Sequence, residues 1–395
     1  MNNSVSKIWT KDFFILSAVN FFLTLVYFLL NATVTGYAVN KFHATTGQSG
    51  FIAGIFIIGA LLGRLLTGRL VLSKKILISG LVFFLATVLL YFLNFGLYFL
   101  ILSRFLNGIS VGIVTTVVGT VVALVLPNSR RGEGISYFAV STALATGLGP
   151  FIGLLLSQNA NYNLIFVFSL ILGVVSLGVS FNLNVPQVIS QSNADKKSLF
   201  SNLIDVKTIP IAIIIFVSAF SFSSILSYIN LYAVELNLVS TASFFFMVYT
   251  VTVLISRPFT GRMVDKSGPN IIIYPAFIFF GLGMILLSFA GSSMSLLLAA
   301  VFVGLGFGNI SSISQTVAVS QATPQRVGIA TATFMIFMDL GNGVGPSVLG
   351  LIIPATGYRG MYQLLTVIVF VSLILYYFLH GRKAKAKVKM KQQAS

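Results

Sequence analysis

The sequence predicts an all-α polytopic membrane protein with twelve transmembrane helices in two pseudo-symmetric six-helix halves. Three observations predict it. Of 395 residues, 57% are hydrophobic and only 8% charged, with mean hydropathy +0.99; soluble domains carry about 25% charged residues. A soluble fold of this length cannot bury so much apolar surface, so the excess must face lipid. Apolar runs recur that reach the roughly 20 residues a spanning helix needs and are far too long for barrel strands. Finally, glycine- and arginine-containing motifs repeat at a near-constant offset along the chain.

The spans fall at roughly 13–36, 49–71, 76–95, 98–125, 134–157, 162–183, 209–235, 242–264, 271–291, 294–320, 327–353 and 359–379. Lys7 and Lys11 precede the first run, which is too long for a signal-peptide core and has no small-residue cleavage site; it reads as a retained span. With the N-terminus in the cytoplasm, nineteen Lys and Arg lie on the cytoplasmic side, six of them in the tail from Arg382 to Lys391. Only Lys41 and Arg359 lie opposite, an asymmetry that orients the chain with both termini inside. The polar stretch 184–208, with Asn193, Asp195, Lys196 and Lys197, separates 1–183 from 209–380 as a cytoplasmic interdomain linker. Residues 381–395 form a basic tail that suits anionic headgroups, at about 1 kcal/mol per charge.

The repeat supports this division. Arg64, Gly68 and Arg69 after span 2 recur 193 residues later as Arg257, Gly261 and Arg262 after span 8. Gly147, Gly149 and Pro150 in span 5 recur 196 residues later as Gly343, Gly345 and Pro346 in span 11, and Gly108 and Gly112 recur as Gly304 and Gly308 at the same offset. Parallel repeats of this kind are a transporter architecture. Glycine permits close helix approach and proline bends a helix, so the two Gly-x-Gly-Pro segments are read as hinge or interface positions, or equally as tight packing.

The loop Gly261, Arg262, Asp265, Lys266, Gly268 is similar to the cytoplasmic signature of the major facilitator superfamily. The first copy departs from it, with Leu72 where the acid would stand. Arg104 with Gly108 in span 4 resembles the family's second signature, and Gly147 to Gly153 resembles the span 5 signature of its twelve-span drug:proton antiporter branch. The resemblance covers essentially the whole chain. It implies the major facilitator fold, and a cytoplasmic gate at Arg64, Gly68, Arg69, Arg257, Gly261, Arg262 and Asp265. It also implies a proton-relay role for Arg104 and favours export.

Ionisable groups inside a bilayer cost about 2.5–3.5 kcal/mol on the insertion scale and mark functional positions. Asp339 sits near the middle of span 11. A low dielectric favours the neutral acid, which lets such a group load and release a proton as access alternates; permanent pairing against span 2 is the other reading. Arg104 lies about seven residues into span 4, either in the relay or tied to backbone carbonyls. Glu235 ends span 7 and is either a third titrating group or an exposed helix end, whereas Asp12 reads as a cap of span 1. Spans 1, 4, 7 and 10 offer Asn20, Tyr27, Asn31, Asn107, Tyr228, Asn230 and Asn309 to a substrate cavity. Few charges line it, which disfavours multiply anionic substrates.

Cysteine is absent, and His43 and His380 lie outside the runs, so no metal centre, redox site or acid–base cluster is expected and the chain does not read as an enzyme. The net charge of +17 is spread through loops and tail without interleaved aromatics, which reads as topology and not as nucleic-acid binding. There is no phosphate-binding Gly-x-x-x-x-Gly-Lys-Ser/Thr loop, so a proton gradient, with no cofactor, is the expected energy source. The expectation is a monomeric secondary transporter in a bacterial plasma (inner) membrane, with lipid, protons and a small substrate as partners. It would export a small organic compound in exchange for protons. A proton-coupled importer and a non-transporting sensor or structural protein are the alternatives.

Overall fold

The computed structural model describes residues 7–67, 74–127, 131–158, 161–184, 204–322 and 327–382. Among these there is no strand. The helices are α1 (Lys11–Phe42), α2 (Thr46–Thr67), α3 (Lys74–Leu89), α4 (Leu97–Val125), α5 (Arg131–Ser157), α6 (Tyr162–Ser180), α7 (Ile209–Glu235), α8 (Val239–Ser267), α9 (Asn270–Ser288) and α10 (Ser293–Gln321). A final run, Val327–Tyr376, is broken at Gly357 (φ +66°) into two arms, α11 (327–356) and α12 (358–376). Among the described residues, eleven runs are long and apolar enough to cross a membrane, the last of 53 residues. With its two arms counted separately, that run brings the crossings to twelve.

Local chemistry sets the helix ends. The Thr10 hydroxyl accepts from the Phe13 amide at 3.2 Å and caps α1. Asp12 lies in the first turn, two residues after the cap, where an acid suits the positive end of the helix, and its Oδ1 accepts the backbone amide of Asn184 at 3.2 Å. α1 runs to Phe42, six residues beyond the expected end, since no proline intervenes, and His43 closes it in the left-handed region. Lys74 Nζ donates to the Phe181 carbonyl at 2.6 Å, a cation on the end of α6. Ser292 and Ser295 form a reciprocal capping box at the start of α10.

The chain divides into two compact units, one of Met1–Ala44 and Ile55–Asn193, the other of Thr45–Gly54 and Ala194–Ser395. The first turns of α2 thus belong to the second unit. Within the first unit, α2 packs on α4: a Cβ at Gly108 or Gly112 would overlap the backbone carbonyls of Phe56 and Ala60. α5 meets α1, with Gly149 against Leu25 and Phe28, and α6 meets α3, with Gly173 against Phe84 and Leu85. The second unit repeats the scheme. Gly304 and Gly308 bring α10 to Tyr249, Thr252 and Val253 of α8. Gly341 and Gly345 bring α11 to Phe216, Phe220 and Ser223 of α7, and Gly281 brings α9 to Phe370 of α12. Second pairs with fourth, first with fifth, third with sixth, in both units.

Helix contact in lipid depends on small residues and close van der Waals approach. Gly108→Val should separate α2 from α4 and destabilise the fold by about 1–3 kcal/mol, read as a lower thermal midpoint in detergent. Gly119, which has open space where a Cβ would stand, should accept alanine with no loss. Equal midpoints for both variants would contradict this packing.

Candidate functional site

In the first unit, Arg104 sits two turns inside α4 and is fully buried. Three aromatic or amide groups surround it. Its Nη2 donates to Asn31 Oδ1 of α1 at 3.3 Å, and its Cζ lies 4.7 Å over the Phe56 ring of α2. The Tyr91 hydroxyl is within electrostatic reach. Phe56 in turn stacks on Tyr27, centroids 4.8 Å apart. A buried cation is costly unless hydrogen-bonded; here an amide oxygen and an aromatic face, the latter worth about 0.5–2 kcal/mol, contribute to its stabilisation.

In the second unit, Asp339 is half-buried midway along α11. Its neighbour Met338 accepts from Ser311 Oγ of α10 at 3.8 Å. Asn342, one turn on, has a buried Oδ1 without a hydrogen-bond partner. Asp339 lies two residues before Gly341, about 200° round the helix, so it projects away from the face packed on α7. In the same unit the π-helical turn Gly304–Gly308 in α10 accompanies the stacking of Phe307 on Phe222 of α7, 4.1 Å apart at 7°. Among the described residues no three His, Cys, Asp or Glu come together that could hold a metal ion.

The polar residues expected on a cavity wall are largely spent on neighbouring helices. Asn20 donates to Ser141 and Thr142 of α5 at 2.9 and 3.0 Å. Asn107 donates to Thr87 of α3 at 3.0 Å and is fully buried. Asn309 bridges to Ser256 of α8 at 3.3 Å and to the Leu305 carbonyl at 2.8 Å. Tyr228 donates to the Pro346 carbonyl at 2.6 Å and reaches that of Thr46 at 3.2 Å. Asn230 is buried, and Tyr27 is half-buried. Glu235 is exposed at the end of α7, electrostatically close to Tyr232 and Tyr358.

The expected gate is described only in part. Arg64 is half-buried in the last turn of α2. Arg257 is half-buried in α8, its Nε buried without a hydrogen-bond partner, and Gly261 is exposed. Gly68, Arg69, and the side chains of Arg262 and Asp265 lie outside the described residues, as do most of the linker and the tail beyond Arg382. The Gly-x-Gly-Pro segments make close contacts inside each unit: Gly147, Gly149 and Pro150 are buried in α5, and Gly345 lies on α7. The carbonyls of Gly343 and Pro346 lie against Gly54 and Gly50 in the first turns of α2.

Two features escape the sequence reading. Asp205 is a buried acid whose Oδ2 accepts from the amide and hydroxyl of Thr208 at 3.1 and 2.9 Å, and its own amide donates to Thr333 Oγ1 of α11 at 2.9 Å. Its signal is an Asp three residues before a Thr at the start of an apolar run. The second is a tyrosine cluster, the Tyr232 ring in tilted contact with Tyr358 and Tyr362, centroids 5.7 and 5.4 Å apart, legible as two stripes of i, i+4 tyrosines.

Comparison with known proteins gives a consistent picture. The family model described as Major Facilitator Superfamily matches residues 16–334 and 211–394. An uncharacterized MFS-type transporter of Methanocaldococcus jannaschii is 26% identical over 95% of this chain and 98% of its own length. Multidrug resistance protein MdtG of Yersinia enterocolitica is 24% identical over 69% of this chain and 68% of its own. The staphylopine export protein of Staphylococcus aureus is 18% identical over 90% and 94%. The crystal structure of a POT family transporter in complex with 5-aminolevulinic acid superposes with TM-score 0.77 at 14% identity, covering 94% of this chain and 96% of that one.

The Arg104 environment makes a direct test. Asn31→Ala removes an acceptor from a buried cation and should cost about 1.5–3 kcal/mol, measured by thermal unfolding. Adding Arg104→Met should cost less than the sum of the single changes, since the two side chains form one interaction. Strict additivity would refute the coupling.

Proposed function

The chain belongs to the major facilitator superfamily and is an integral membrane transporter of small molecules, not an enzyme, and from that premise we propose that it exports a small organic compound in exchange for protons by alternating access. One observation carries the proton part: of seven acidic residues, Asp339 alone stands in the middle of a span, half-buried and beside an unpartnered amide oxygen. A carboxylate in that position changes charge when it binds a proton, and the electrostatic cost of each charge state differs between access states. That difference is what a coupled ligand needs in order to shift a conformational equilibrium.

Arg104, fixed in the other unit by Asn31 and Phe56, supplies the permanent positive charge of the relay. The apolar, aromatic surroundings and the scarcity of charge support a mostly apolar or zwitterionic substrate. Export is supported by the span 5 segment Gly147 to Gly153 and by the resemblance to a multidrug resistance protein and a staphylopine export protein. The reading places the protein in the cell membrane as a monomer with both termini in the cytoplasm, on the distribution of Lys and Arg.

The test uses purified protein in liposomes loaded with a pH dye. Gradients of a lipophilic cation, a neutral antibiotic, an amino-acid-like zwitterion and a sugar are imposed, with wild type and Asp339→Asn side by side. Proton movement driven by at least one compound in wild type, in the direction opposite to the substrate and lost in the variant, is the expected result. Movement in the same direction as substrate would instead establish import, and equal movement in both proteins would remove Asp339 from the relay.

A further inference from the structure

The second unit ties α11 to α7 at two places, and Asp339 lies almost midway between them. At one end the Asp205 amide, fixed just ahead of α7 by the bonds from Thr208 to the Asp205 carboxylate, donates to Thr333 Oγ1 at 2.9 Å. At the other the Tyr228 hydroxyl donates to the Pro346 carbonyl at 2.6 Å. Thr333 stands six residues before Asp339 and Pro346 seven after, about 9–10 Å along the axis in each direction. Between the ties Gly341 and Gly345 sit against Phe216, Phe220 and Ser223, so the helices touch backbone to backbone. Asp205, Thr333 and Tyr228 are all buried.

We propose that Asp205, Thr333 and Tyr228 are positioning residues for Asp339. The glycine contact fixes how near α11 stands to α7, but a smooth small-residue face leaves sliding along the axis and rotation about it weakly specified. Two hydrogen bonds about 20 Å apart along α11 remove both freedoms. They hold α11 at two heights and two angles, Thr333 about 120° round the helix from residue 339 and Pro346 within about 20° of it, and so present the 339 side chain at one height and one rotation. This inference rests on the reading of Asp339 as the proton-carrying group, but the positional claim holds or falls by itself.

The chain contains no cysteine, so a single cysteine at 339 reports on that position alone, and it does so without requiring transport. In Asp339→Cys protein reconstituted in liposomes, the rate of alkylation by a small charged maleimide is compared in four backgrounds: unchanged, Tyr228→Phe, Thr333→Val, and both together. Each loosening change should alter the rate by about fivefold, the population shift expected from one net hydrogen bond, and the pair by more. Thr333→Ser, which keeps the hydroxyl, should restore the unchanged rate. Rates within twofold in every background, or a Thr333→Ser rate like that of Thr333→Val, would overturn the positioning role. Thermal midpoints measured alongside separate a local shift from unfolding: a rate that changes only in step with a lowered midpoint counts against the proposal. Failure of Asp339→Asn to affect proton movement would sink the relay reading and leave this result untouched.

Discussion

The hydrocarbon core of a bilayer donates and accepts no hydrogen bonds, and almost everything in this structure follows from that. Each backbone amide must find its partner within its own segment, which makes the apolar runs helical regardless of propensity. The same solvent removes the hydrophobic drive between helices, because a leucine gains nothing by leaving acyl chains for another leucine. What remains is dispersion at short range and the few polar groups that can meet. Both are visible here: backbone-to-backbone approach at glycines, and asparagine, serine, threonine and tyrosine side chains bonded from one helix to the next.

Those two kinds of contact divide the labour. Glycine faces bring α2 to α4, α1 to α5 and α3 to α6, and their counterparts in the second unit, so each unit is assembled from the same three pairings. Polar bonds then give the pairings register. Asn20 to Ser141, Asn309 to Ser256 and Tyr228 to Pro346 each lock one such pair at one height, and Asn107 to Thr87 ties α4 to α3 across the pairings. Charge is kept for a third role. Arg104 and Asp339 stand in separate units, the first enclosed by an amide and an aromatic ring, the second half-buried midway along α11.

Much of the fold is legible in the sequence because its determinants are local or periodic. Run length gives the helices, and the recurrence of Gly108, Gly112, Gly149 and Pro150 gives the doubled architecture. The roles of individual polar residues are less legible. Asn107 and Asn309 look like cavity residues when only their span is known, yet which way a side chain turns depends on the neighbouring helix, here Thr87 and Ser256. Asp205 is hidden for a related reason: it sits in a polar stretch and reads as linker, and only its contact with Thr333, 128 residues away, shows that it belongs to the helical core. Asp12 has a helix-capping position in the sequence, but Thr10 takes the cap because its hydroxyl reaches Phe13.

The corner between α11 and α12 differs from the others in its mechanics. The connection from α9 to α10 runs through residues 289–292, whereas α11 turns into α12 at Gly357 alone. A residue has only two soft torsions, so this corner is a swivel with two degrees of freedom and almost no slack. Twisting α11 about its axis must therefore appear as torque on α12, with little lost between them. The φ of +66° at Gly357 is open to glycine and strained for a side chain, so the stiffness of this joint rests on one residue whose backbone conformation, not any packed side chain, sets the corner.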